Sequence, residues 1–194
     1  MPSRVFRSVF FLLLPLGLAA CASAPPQPVS RPAQAELAPF VMAGRIAVKH
    51  DGQRSSATVR WTHSVAADEI LLFAPLGQTV ARIQRDSLRV TLDTSDKHYT
   101  AQNAEELTQQ VLGWSLPLSG LQYWVLALPA PGGTFDIERD ADGRISLLRQ
   151  HGWEVKFTRY ATAAPDSLPL RLALQRPGLE IQLLIDQWEI PSLP

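Results

Sequence analysis

Residues 44–94 read GRIAVKHDGQRSSATVRWTHSVAADEILLFAPLGQTVARIQRDSLRVTLDT, and this stretch decides the fold. Around the short apolar run Ile70–Phe73, apolar and polar residues follow a period of two along Arg45–Lys49, Ala57–Thr62, Val80–Gln84 and Leu88–Leu92, and all five stretches read as short strands. That is the period of strands with one buried face. Asp51-Gly52, Pro75-Leu76-Gly77, Arg85-Asp86 and Thr94-Ser95-Asp96 supply turn chemistry between and after them. A parallel pair needs a crossover of a dozen residues or more, so spacers this short make an antiparallel meander.

Downstream the period changes. Asn103 precedes Ala104-Glu105-Glu106, with Glu106 at the capping-box position, and Leu107, Val111 and Leu112 recur at helical spacing up to Gly113. A second helix is predicted from Pro117 through Leu121, Trp124 and Leu128, ended by Pro129. Strands then resume over Thr134–Arg139, Arg144–Arg149, Trp153–Tyr160, Pro169–Gln175 and Leu179–Ile185, with a last short strand around Trp188. About eleven strands are too many for a flat sheet. The fold class expected is mainly β with a helical lid (α+β), an incomplete antiparallel barrel covered by two to three helices.

Upstream, Arg4 and Arg7 precede the apolar run Val9–Ala20, which ends in Leu18-Ala19-Ala20-Cys21. The run is too short for a bilayer span and has the layout of a secretory signal, so residues 1–20 are assigned as a signal peptide of lipoprotein type. Cys21 is the chain's one cysteine, which excludes an internal disulfide and a multi-cysteine zinc site. It stands where a bacterial lipobox carries its acylated thiol. Residues 21–39, with Pro25, Pro26, Pro28, Pro32 and Pro39, read as a stiff tether. Within it, Ala33–Ala38 has room for one helical turn. Residues 40–194 form the folded domain.

Composition narrows the function. The chain has 194 residues, 46% hydrophobic and 19% charged, with 18 Lys+Arg against 18 Asp+Glu. Cleavage before Cys21 takes 20 residues and leaves 174, with 16 basic and 18 acidic side chains. No basic stripe exists to hold a polyanion, so no nucleic-acid partner is expected. No nucleophile elbow, metalloprotease helix, phosphate loop or dinucleotide fingerprint occurs, so no enzyme activity, cofactor or metal is expected. His50, His63, His98 and His151 are scattered and read as turn or surface residues. Asp140-Ala141-Asp142-Gly143 reads as a hairpin turn rather than a calcium loop. Asp68-Glu69 and Glu105-Glu106 are adjacent carboxylates that point apart, and they read as solvated ends or helix caps.

Two features remain. Trp61, Trp114, Trp124, Trp153 and Trp188 are spread over the chain, and a half-barrel under helices is either filled by such side chains or left as an apolar cavity. In Pro75-Leu76-Gly77 a large aliphatic residue sits between a fixed φ and a free one, which is expected to push Leu76 outward at the loop tip.

Taken in order, Leu18–Cys21, Gly44–Val48, Trp61, Pro75-Leu76-Gly77, Tyr99-Thr100-Ala101, Glu105-Glu106, Leu116-Pro117-Leu118, Trp124 ahead of Leu128-Pro129, Gly152–Val155 and Trp188 resemble the outer-membrane lipoprotein receptor LolB family, related to the LolA-like localization factors. The resemblance implies a monomer anchored by lipid at Cys21 to the outer membrane and facing the periplasm. Such a protein takes acylated lipoprotein cargo from the periplasmic carrier LolA and inserts it among outer-membrane lipids. By the same resemblance, Pro75, Leu76 and Gly77 are the membrane-insertion loop, and Trp61, Leu121, Trp124 and Trp153 belong to the acyl-chain cavity and its lid. The sequence departs from the pattern at Ala127, where many members have Gly, and at Trp114, which looks extra. The alternatives from other classes are a structural lipoprotein with a filled barrel and a periplasmic lipid hydrolase, which would need a nucleophile with a His partner.

Overall fold

The computed structural model describes Arg31 and residues 39–191. The signal segment, Cys21 and the Ala33–Ala38 turn lie outside the described residues. Strands β1 (Phe40–His50), β2 (Gln53–His63), β3 (Asp68–Phe73), β4 (Thr79–Arg85), β5 (Val90–Thr94) and β6 (His98–Ala101) come first. Helices α1 (Ala104–Leu112) and α2 (Leu118–Trp124) follow. The chain then returns through β7 (Phe135–Arg139), β8 (Ile145–Gln150), β9 (Trp153–Tyr160), β10 (Pro169–Arg176) and β11 (Leu179–Glu189).

All eleven strands form one antiparallel sheet in the order β6-β5-β4-β3-β2-β1-β11-β10-β9-β8-β7, so the first and last strands pair at its centre and the sheet is open between β6 and β7. One face is apolar over most of its rungs. Its register runs in rungs: Leu174, Ile181, Val48 and Ser55 face one another across four strands, and six residues along β2 the next-to-last rung is Met42, Trp61, Ile70 and Ile83. Both helices contribute to the core on this face, with Leu107, Leu118 and Leu121 buried in the same cluster as Val59, Leu172 and Ile185. Among the described residues, the whole cluster and its flanks fall between Phe40 and Ile190.

Local chemistry sets the junctions. The Asn103 side chain accepts from the Glu106 N–H, and Gly113 closes α1 at φ 76°. The buried Thr108 hydroxyl donates to the Ala104 carbonyl and accepts from the Leu116 N–H, while the Glu105 carboxylate accepts from the Ser119 N–H and hydroxyl. These bonds lock the α1–α2 connection. Gly44 sits at a β-bulge against β11, where a Cβ would lie 2.1 Å from the Leu184 carbonyl oxygen, so the strands can approach there only around a glycine.

Four expectations are corrected. Leu88 and Arg89 do not begin a strand, because their N–H groups both bond the Asp86 carboxylate and hold them in a turn. Tyr99-Thr100-Ala101, absent from the expected strands, belongs to the edge strand β6. Trp188 is no separate strand but the end of β11. Eleven strands is therefore correct only because one was missed and one counted twice. The second helix stops at Trp124, four residues early, because Ala127 turns to φ 54° and the Leu128 N–H bonds back to the Tyr123 carbonyl.

Candidate functional site

The apolar face of β1–β4 and the helices enclose a cavity of about 240 Å³. Its sheet wall is made by Met42, Ile46 and Val48 of β1, Ala57, Val59 and Trp61 of β2, Ile70 and Leu72 of β3 and Ile83 of β4, and it continues onto Ile181 and Leu183 of β11 and Leu174 of β10. Leu112, Trp114, Leu116 and Leu121 cover it from the helices and their link. The polar side chains on the wall are Ser55, Ser56 and Thr108, and the Thr108 hydroxyl is already taken by backbone partners. The interior is thus neither filled nor equipped with facing acid and base.

The cavity has unlike ends. At one, near the β1–β2 turn, Ser55 and Ser56 are exposed, and Leu112 is 46% exposed above them. The alternation of the strands puts the β3–β4 turn at this same end of the sheet. There the Gly77 N–H bonds the Ala74 carbonyl, Gly77 takes φ 81°, and Leu76 stands 91% exposed at the tip. Pro fixes one flank and Gly supplies the left-handed residue on the other, so nothing local draws the leucine inward.

The other end is plugged. Beyond the Trp61 rung comes Phe40, His63, Asp68 and Arg85. The Phe40 ring stacks on His63 at 4.8 Å and meets Trp61 and Trp188 edge-on at 5.1 and 5.5 Å. The Trp61 indole donates to Asp68 Oδ1 at 2.8 Å, His63 Nδ1 lies 2.7 Å from the same oxygen, and Arg85 Nε donates to Oδ2. Burial pushes the Asp68 carboxyl up, but the hydrogen bonds of His63, Trp61 and Arg85 outweigh it and hold its pKa below the usual carboxylate range. His63 and Asp68 are therefore neither turn nor solvated residues, as the sequence suggested, but buried partners. The alternation of β2 continued inward past Trp61 to His63 would have revealed one of them.

Of the residues singled out from sequence, the structure brings Trp61 and Leu121 to the cavity wall together with Trp114. Trp124 and Trp153 lie elsewhere in the core, their ring centres 6.3 Å apart. The Trp124 indole donates to Gln150 Oε1, whose amide also pairs with the backbone of Ala130, and Arg176 stacks over Trp153 at 4.7 Å. Met42, Ile46 and Ser55 were not singled out, since their place on the wall follows from pairing and not from local pattern. The Asp140 carboxylate is spent on Arg144 and its own turn.

Among the described residues, an open antiparallel sheet with one apolar face, covered by two helices around an apolar cavity, is a fold with room for a hydrophobic ligand. Residues 38–188 match the family model described as outer membrane lipoprotein LolB, and the chain belongs to that family. It is 44% identical over 166 residues to the outer-membrane lipoprotein LolB of Nitrosomonas europaea, covering 84% of this chain and 78% of that one. To the protein of that name in Chromobacterium violaceum it is 39% identical over 188 residues, covering 95% and 100%. A crystal structure of a DUF1329 family protein from Desulfovibrio piger shares the fold at a TM-score of 0.50 and 6% identity, over 84% of this chain and 87% of that one.

Proposed function

We propose that this chain is an outer-membrane receptor for lipoproteins, held by acyl groups on Cys21 after removal of residues 1–20, with residues 21–39 as the tether. The open sheet acts as an incomplete barrel and the helices as its lid. Acylated lipoproteins pass from the periplasmic carrier LolA into the cavity and on to the outer-membrane lipids. The protein works as a monomer, with no covalent step and no cofactor. Transfer between two apolar cavities needs only a small difference in buried area, since burial is non-directional and scales with surface.

The observation that carries this reading is the shared end of the cavity mouth and the Leu76 loop. An exposed leucine regains roughly 1.5–3 kcal/mol on burial, and a lipid surface beside the mouth offers that burial. Pro75 and Gly77 set the loop's shape, and Trp61 and Leu121 face the chains. Trp124 and Trp153 support α2 and the sheet from the core side. At about 240 Å³ the cavity is below the roughly 300–1,000 Å³ of sites for drug-sized ligands, so several acyl chains enter only if the helices move outward.

The test mixes residues 22–194 of this chain with carrier loaded with a triacylated lipoprotein and follows the cargo by co-purification. Cargo moves to this domain if its cavity accepts acyl chains. Cargo that stays on the carrier, with the domain shown folded, makes the protein a structural lipoprotein instead.

A further inference from the structure

The two ends of the cavity are a fixed distance apart, and the closed end is held in place by a residue outside the cavity. Ser55 at the mouth and Trp61 at the closed end lie on one strand, β2, six residues apart and facing the same side. A strand rises about 3.3 Å per residue, so the wall between them is about 20 Å long. Carbon–carbon bonds of about 1.5 Å at a tetrahedral angle advance about 1.25 Å each, so about sixteen carbons of an extended saturated chain span that wall. Among the described residues, none that lines the cavity lies beyond the rung of Met42, Trp61, Ile70 and Ile83. The next rung is occupied by the Phe40 ring and the His63–Asp68–Arg85 cluster.

We propose that Trp61, fixed by Asp68, is a length gauge that admits a saturated acyl chain of about sixteen carbons and stops a longer one. The indole is 2% exposed and its single N–H is spent on Asp68 Oδ1, so it cannot swing aside without leaving both a donor and a buried carboxylate short of a partner. Asp68 is itself held by His63 at that same oxygen and by Arg85 at Oδ2, which makes the stop rigid. Asp68 is thus a positioning residue acting through Trp61, and the mouth at Ser55 is where the polar head of the chain stays outside. The inference rests on the proposed acyl binding.

The experiment displaces an environment-sensitive fluorescent fatty acid from residues 22–194 with saturated fatty acids of ten to twenty carbons. Each added methylene tightens binding about fourfold while it is buried, from its transfer free energy. Wild type is expected to follow that rise up to about sixteen carbons and then flatten. Trp61→Ala moves the break to longer chains by about two to four carbons, the depth the indole gives up. Trp61→Phe, which keeps a ring against Phe40 if the alanine variant fails to fold, moves it by one or two. Asp68→Asn keeps an acceptor for the indole and leaves the break in place, whereas Asp68→Ala blurs it without a matching loss for short chains. A rise with no break, or a break that stays put in both Trp61 variants, overturns the gauge while leaving acyl binding standing. No displacement at any length overturns acyl binding and the gauge with it.

Discussion

The two ends of the sheet are made from the same alternating strands and reach opposite states. At the mouth, the inward positions of β2 shrink to Ser55 and Ala57, and the neighbouring turn carries an exposed Leu76. At the far end the same positions are Trp61 and His63, packed with Phe40 and Trp188 and wired to Asp68. Side-chain size along one strand, and not a change of backbone, turns a cleft into a blind cavity. The exposed Leu76 turn has little packing to lose, whereas the plugged end is held by ring contacts and hydrogen bonds to a buried carboxylate.

That contrast can be broken at several points. Phe40→Ala removes the ring on which His63, Trp61 and Trp188 converge, and about 3–5 kcal/mol of unfolding free energy is expected to go with it, measured by denaturant titration. A loss under about 1 kcal/mol would mean the far end is not the stable one. Asp68→Asn leaves the shape and removes the charge, and about 1–3 kcal/mol is expected to be lost near pH 7. Because the folded-state pKa of Asp68 lies below its unfolded value near 3.9, its contribution is present above that pH and drains away as pH falls further, through the folded pKa. Stability should therefore decline more steeply below about pH 4 in wild type than in Asp68→Asn, and parallel pH curves would show that the carboxylate is not held as described.

At the mouth the expected stability changes are small and the functional ones are not. Leu76→Asp should shift unfolding by no more than about 0.5 kcal/mol, since the side chain stands in solvent and has little packing to lose. Cargo uptake should remain while delivery into lipid vesicles slows about tenfold or more, the scale of losing the roughly 1.5–3 kcal/mol of burial in lipid. Equal loss of uptake and delivery would place Leu76 in the cavity mechanism and erase the division between the two ends.

How much of this was legible beforehand depends on whether the signal was local. Period-two strands, the Asn103 cap, the Gly113 stop and the Leu76 loop are written in runs of a few residues, because alternation, capping and positive φ are short-range effects. The early end of α2 was not legible, since it depends on Ala127, a non-glycine residue held at φ 54° while buried, with its carbonyl accepting from Arg31. His63 and Asp68 looked like loop-end polar residues for the same reason: five positions apart, they meet only when β2 and β3 pair.

The residues in chain order were enough for an antiparallel sheet interrupted by two helices, an N-terminus of lipoprotein type, a leucine presented on a Pro–Gly loop, and a family resemblance carried by their sequence of appearance. Folding in three dimensions set which tryptophans face the cavity, where the cavity ends, and that β1 and β11 meet in the middle of the sheet. Strand identity is a property of neighbours along the chain, whereas depth, register and the partners of a buried charge belong to residues brought together across it.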